Sequence, residues 1–280
     1  MQQNAQETLY LWFPQWQGSG MTNDVYVGAT QMRDFLTPPI VFTDVCVPRI
    51  QTLELEHGVW GYRPLLHQLH HVQRLLHAAQ PTHIRMIGGD CGTELAPIAF
   101  LNQQYQADLA VLWIDAHADL NTPTSSPSHT FHGMVLRTLL GDGPTAMVNC
   151  VPSLLTPNQI FLVGTRDLDP PEQTYIEDTH LCLFPPAEVQ LAPHTIIDAV
   201  VDAGFTHLYV HLDLDVLDPQ VFPSVKVPTP NGLQPQDIQM LIAVAQQRVQ
   251  PVGMSIVEYA PSGAANDVLL GDLLNIYKQQ

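Results

Sequence analysis

The chain has 280 residues, with 10 Lys and Arg against 27 Asp and Glu, for a net charge of −17. Its apolar share of 45% is ordinary for a globular protein, which excludes a disordered chain despite the charge. Phosphate recognition runs on Lys and Arg, and their scarcity excludes nucleic acid or an anionic membrane as the main partner.

Four cysteines (Cys46, Cys91, Cys150, Cys182) form no CxxC pair and point to a reducing compartment. No signal peptide and no apolar run of membrane-spanning length is visible, so a cytoplasmic location is expected. No linker, repeat or charge block divides the chain, and residues 1–280 are read as a single domain.

In chain order, short apolar runs alternate with helical patterns. The expected strands are Leu9–Phe13, Ile84–Ile87, Leu109–Ile114, Ile160–Val163, Leu208–Leu212 and Val252–Val257. The expected helices are Leu65–Ala79, Glu94–Tyr105, Ile196–Ala203, Gln236–Arg248 and Asn266–Lys278. Strands without polar alternation are those buried on both faces, and strand–helix alternation builds a parallel sheet covered on both sides. This is an α/β fold, whose ligands bind beyond the carboxyl ends of the strands.

Those ends carry the chemistry. Ile84–Ile87 runs into Gly88-Gly89-Asp90-Cys91, and Leu109–Ile114 into Asp115-Ala116-His117-Ala118-Asp119. Leu208–Leu212 runs into Asp213-Leu214-Asp215, and Val252–Val257 ends at Glu258. In extended chain the side chains alternate, so Asp115, His117 and Asp119 share one side, as do Asp213 and Asp215. If the two strands are neighbours, four carboxylates and an imidazole converge. Packed carboxylates repel and would protonate unless divalent cations neutralise them. An Asp/His set suits Mn²⁺ or a similar ion, and two ions about 3.5–4 Å apart would need bridging carboxylates. An isolated Asp-x-Asp is usually a turn or a helix cap. Two such clusters at two strand ends are not so explained.

These motifs together resemble the ureohydrolase family of arginases, agmatinases and formimidoylglutamases, in order and spacing along most of the chain. The resemblance implies a three-layer α/β/α sandwich with a central parallel sheet. It also implies a pair of Mn²⁺ ions and hydrolysis of a guanidinium group to urea and an amine. By this resemblance Asp115, Asp119, Asp213 and Cys91 hold one metal, and His117, Asp115, Asp213 and Asp215 the other, with Asp115 and Asp213 bridging. A hydroxide shared by the metals attacks the guanidinium carbon, Asp119 orients it and accepts its proton, His132 relays protons, and Glu258 grips the guanidinium. Asn121 and Ser128, and Asp169 and Glu172 in the segment Gly164–Glu172, stand at positions where arginases read the amino-acid end of L-arginine. The implied substrate is a small cationic guanidino compound, with L-arginine first, and the implied assembly is a homotrimer or hexamer.

The chain also departs from the pattern. Cys91 stands where the family typically has histidine, Lys226-Val227 where arginases have Gly-Thr, Thr130 where they have Asn, and Ala260 where an Asn is usual; His129 is an extra imidazole. A soft thiolate favours Zn²⁺ or Fe over Mn²⁺, and a neutral thiol leaves a metal short of a ligand. Two alternatives follow: a hydrolase of another guanidino or formimino substrate with one metal or a metal other than Mn²⁺, and a degenerate member that only binds.

Overall fold

The computed structural model describes residues 8–36, 40–263 and 267–278. Eight parallel strands form the central sheet: β1 (Thr8–Phe13), β2 (Thr43–Asp44), β5 (His83–Gly88), β6 (Ala110–Ile114), β7 (Ile160–Val163), β8 (Cys182–Phe184), β9 (His207–Asp213) and β10 (Gln250–Val257). Two short strands, β3 (Leu55–Glu56) and β4 (Val59–Trp60), form a separate antiparallel pair. The order across the large sheet is β2-β1-β5-β10-β9-β6-β7-β8.

Among the described residues ten α-helices accompany it: α1 (Asp24–Phe35), α2 (Tyr62–Ala79), α3 (Leu95–Gln104), α4 (Val135–Leu139), α5 (Thr145–Val148), α6 (Pro170–Thr179), α7 (Pro186–Leu191), α8 (Pro193–Asp202), α9 (Pro235–Arg248) and α10 (Asp267–Lys278). Two apolar cores lie on opposite faces of the sheet. On one face Leu9, Leu11, Met86, Val111, Trp113, Leu162 and Tyr209 pack with residues of α2, α3 and α4. On the other Leu112, Ile114, Val163, Val210, Leu212 and Met254 pack with α1, α8, α9 and α10. Alternate residues of the inner strands serve opposite cores, as period two requires, apart from the irregularity of β10 between Pro251 and Gly253, and the result is the expected three-layer sandwich.

All six expected strands and all five expected helices are present, with ends shifted by a few residues; Asn266 lies outside the described residues. The edge strands β2 and β8, of two and three residues, are too short to show a pattern. Helix α1 was hidden by Gly28, a poor helix former. A Cβ there would come within 1.6 Å of the Tyr259 carbonyl oxygen, so the helix needs glycine to dock beneath the end of β10. Helix α6 buries only Glu172 and Ile176 and has almost no apolar stripe to read. It is started instead by Pro170 at its first position and by a capping box between Asp169 and Glu172.

The topology fixes where chemistry can occur. The neighbours β5, β10, β9 and β6 are the strands whose ends carry Cys91, Glu258, Asp213 and Asp115. Ile114 pairs with Leu212, so Asp115 and Asp213 leave adjacent strands at the same level.

Candidate metal centre

At these ends a cavity of about 370 Å³ opens, lined by Cys91, His117, Asp119, Asp213 and Asp215 on one side. Asn121, Ser128, Thr130, His132, Asp169, Glu172, Lys226 and Val227 line the rest with a few neighbours. Every candidate ligand, catalytic or substrate-reading residue reaches this cavity except Asp115 and Glu258, which are buried just behind its wall; His129 and Ala260 do not line it.

Each strand delivers its group by a local device. After β5 the chain passes Gln15 so closely that a Cβ on Gly89 would meet the Gln15 carbonyl oxygen at 1.7 Å. The Asp90 carboxylate then accepts from Gly18 N (2.8 Å) and Gly92 N (2.9 Å) and pins the turn Cys91–Glu94. Burial and the nearby Glu258 carboxylate push the Asp90 pKa up to about 7. After β6, Asp119 has a positive φ of 53°, and Glu258 after β10 one of 61°. Left-handed backbone is uncommon for non-glycine residues, and here it falls on two carboxylates of one site.

Three groups of donors stand close enough to share an ion. The first is Cys91, Asp115, Asp119 and His211, the second Asp115, His117 and Asp215, the third Cys91, His132 and Glu258; within each the donor atoms lie within 4.8 Å of one another. Asp115 belongs to the first two. Its Oδ1 accepts from His117 N at 2.7 Å, and its Oδ2 from Trp113 Nε1 at 3.2 Å. Asp213 joins through Cys91, with 3.1 Å between Oδ2 and Sγ, and accepts from Asp215 N at 2.7 Å. His117 Nδ1 is 3.0 Å from Asp215 Oδ2 and 3.5 Å from Asp115 Oδ1. Glu258 Oε1 accepts from Cys91 N at 3.2 Å and stands 3.1 Å from His132 Nδ1.

Charge is crowded here. Burial, then Asp115, raises the Asp119 pKa well above the carboxylate range. Burial, then Asp215 and Asp115, does the same for Asp213, and burial with Asp115 lifts Asp215 to about 6. Burial raises the Cys91 thiol too, helped by Asp119, Asp213 and Glu258. Only Asp115 is lowered: burial opposes ionisation, but the His117 and His211 rings beside its two oxygens outweigh it. Burial likewise opposes charge on His117, and the Asp215 carboxylate overcomes it and raises the ring. His132 is raised against burial by Glu258.

A divalent cation fits this set. Buried Asp119 Oδ2, Glu258 Oε2 and His211 Nε2 have no hydrogen-bond partner, although unpaired buried polar atoms are costly. Positive charge among the acids would reverse the repulsion that drives their pKa values up.

The outer wall is self-consistent. Asn121 Nδ2 donates to Asp169 Oδ2 at 2.8 Å, and Ser128 Oγ is 2.6 Å from Thr130 Oγ1. Glu172 accepts from Leu120 N at 2.8 Å and Asp169 N at 3.0 Å, tying the loop after β6 to the start of α6. Burial raises its pKa. Lys226 at the rim reaches Thr22, and its Nζ is 3.5 Å from Asp24 Oδ2.

The arginase family profile matches residues 42–270. The chain belongs to the arginase family. Among arginase-family relatives, the arginase of Staphylococcus aureus is 30% identical over 181 residues, 63% of this chain and 60% of its own length. The arginase of Entamoeba histolytica is 33% identical over 180 residues, 62% and 61% respectively. The chain thus spans about 60% of the length of the curated relatives it matches. The crystal structure of the Entamoeba histolytica arginase with L-ornithine has the same fold, with a TM-score of 0.83 at 22% identity over 99% of this chain and 100% of that one.

Sequence reasoning missed His211 and its partner Glu94. His211 lies two and four residues before Asp213 and Asp215, so the same period-two rule extends to it. Burial opposes its charge, but the Asp115 and Glu94 carboxylates beside its two nitrogens lift its pKa to about 9. Nothing in the sequence around Glu94 signals its role, because its partners come from β9 and β10. Among the described residues no helix is long and apolar enough to cross a membrane.

Proposed function

We propose that this chain is a metal-dependent ureohydrolase that cleaves a guanidinium C–N bond, with L-arginine as substrate and urea and L-ornithine as products. The observation that carries this reading is Asp115, one carboxylate that faces two donor groups beneath the cavity. Asp115, His117, Asp213 and Asp215 would hold one divalent cation, and Cys91, Asp115, Asp119 and Asp213 a second. Bound there, such cations make water nucleophilic near neutral pH and stabilise the charge that develops on the substrate.

The chain's own groups do the rest. Asp119, at the cavity wall with Oδ2 unpartnered, orients the attacking water and accepts its proton. His132, between Glu258 and the cavity, carries protons between the site and solvent and supplies the one that leaves with the amine. Glu258 has one oxygen engaged and the other unpartnered, and a carboxylate is the natural mate of the planar guanidinium fork. Asn121, Ser128, Asp169 and Glu172 line the wall where the amino-acid end would sit. That part of the reading is supported by their place on the wall and by the arginase-family relatives.

One observation favours a second reading of the metal. The Cys91 thiol stands inside a donor group, and sulfur prefers a softer ion such as Zn²⁺ to Mn²⁺.

The test is metal content and product release on one sample. Mn²⁺-loaded and Zn²⁺-loaded protein is offered arginine, agmatine, guanidinobutyrate, guanidine and formimidoylglutamate. Urea from arginine with two metals per chain is the expected result. Turnover of another member of the panel moves the substrate, and metal binding without any turnover ends the hydrolase reading.

A further inference from the structure

His211 has no part in the reaction as described, yet it is the most constrained imidazole in the site. It is fully buried on β9. Its ring stacks on Trp113, with centroids 3.6 Å apart and planes 17° from parallel. Its Nδ1 stands 2.8 Å from Glu94 Oε1. Glu94 in turn accepts from Tyr209 Oη at 2.6 Å and from Ser255 Oγ, so the carboxylate is itself fixed from β9 and β10.

With Nδ1–H donated to Glu94, Nε2 carries a lone pair, and it finds no donor in the structure. It points at Asp115 Oδ2, 3.5 Å away, within the group that also holds Cys91 and Asp119. A buried lone pair and a carboxylate that face each other call for positive charge between them: a proton on Nε2 when no metal is bound, and a cation in its place when one is. Ligands about 2.1 Å from one cation, at angles of about 90–110°, lie about 3.0–3.4 Å apart. The His211–Asp115 separation is close to that range. A histidine whose far nitrogen is held by a carboxylate is also the usual arrangement of a metal-bound imidazole, because the carboxylate fixes tautomer and ring angle.

We propose that His211 is a metal ligand: its Nε2 joins Cys91, Asp115 and Asp119 around one divalent cation, and Glu94 is the positioning residue that orients it. This rests on the metal-dependent reading above and changes its ligand set. The imidazole expected at position 91 comes instead from β9, which β10 separates from β5, with Cys91 beside it.

The experiment is pulsed EPR on the full chain, labelled with ¹⁵N-histidine and loaded with Mn²⁺, together with metal-binding titrations. The wild type is expected to show two inequivalent imidazole couplings. His117→Asn removes one and His211→Asn the other, and His211→Asn weakens one of the two metal equivalents at least about 10-fold. Glu94→Gln keeps the coupling but weakens the same equivalent. A single coupling that vanishes in His117→Asn overturns the proposal, as does a second coupling lost in His132→Asn but kept in His211→Asn. If His211→Asn fails to fold, the double variant His117→Asn/His132→Asn decides: a surviving coupling supports His211, and silence overturns it. Urea release with only one imidazole bound sinks this inference and leaves the function intact. Two imidazoles without turnover do the reverse.

Discussion

The two halves of the metal centre share Asp115 but solve the same electrostatic problem differently. In the His117 half, an imidazole raised far above its ordinary range sits between Asp115 and Asp215 and supplies positive charge itself. In the Cys91 half, the thiol is held neutral by burial and by four carboxylates, and the unpartnered Asp119 Oδ2, Glu258 Oε2 and His211 Nε2 gather around it. A charged histidine can stand in for a cation, and in the Cys91 half His211 and His132 do so only in part: Asp119 Oδ2 and Glu258 Oε2 stay unpartnered, and a neutral thiol cannot neutralise them. The Cys91 half is therefore the part of the site that depends on metal for its own stability.

The strongest way to break this contrast is to remove what the halves share. Asp115→Asn is expected to lower urea release by at least about 10²-fold, the scale for losing a group that organises transition-state charge. Metal content, measured on the same protein, should fall for both equivalents; loss of one alone would mean the halves are not joined through Asp115.

Metal itself comes next. At about 1,000 times its dissociation constant, a cation that binds only folded protein adds about 4 kcal/mol. At about 2–4 °C per kcal/mol for a chain of this size, the melting temperature should rise by roughly 10 °C. Hydrogen exchange should slow more in the turn Cys91–Glu94 than in the loop around His117. Equal slowing would erase the distinction between the halves.

The thiol gives a narrower test. Cys91→Ser keeps the size and removes the soft ligand, so Zn²⁺ affinity in that half should drop about 10–100-fold while Mn²⁺ affinity changes little. Calorimetric titration with each ion checks it, and equal losses would mean the sulfur does not select the metal.

The smallest effect lies outside both halves and supplies a baseline. Burial opposes ionisation of Asp108, but hydrogen bonds from Thr206 and contact with His207 lower its pKa. A lowered folded pKa gives stability that is present above the unfolded carboxylate value and lost as pH falls through the folded one. Asp108→Asn should therefore cost on the order of 0.5 kcal/mol at pH 7, given its exposure, and nothing near pH 2. Thermal melts at the two pH values measure the difference, and a constant cost would remove the ionic contribution.

The contrast also shows what the sequence could reveal. Asp115, His117, Asp119, Asp213 and Asp215 were legible because period-two spacing at the ends of apolar strands is a local signal. Their convergence was not, since it needs β6 beside β9 and β5 beside β10, which no local pattern encodes. Glu94 was illegible for the same reason. It starts a helix in sequence, and only the sheet brings Tyr209, His211 and Ser255 to it. Glu172 was legible as a residue near the cavity but not as a cap whose two oxygens hold backbone amides. The family resemblance located position 91, and only the folded chain shows an imidazole beside it from β9.

The sheet's two borders carry a consequence of their own. β2 spans two residues and β8 three, so each flank presents only a brief run of open amide and carbonyl groups. Long, flat flanks invite another chain to add a strand, and these offer too little length for that. Copies of this protein that associate must therefore meet through helices and loops, with the layered interior of each subunit left closed at both sides.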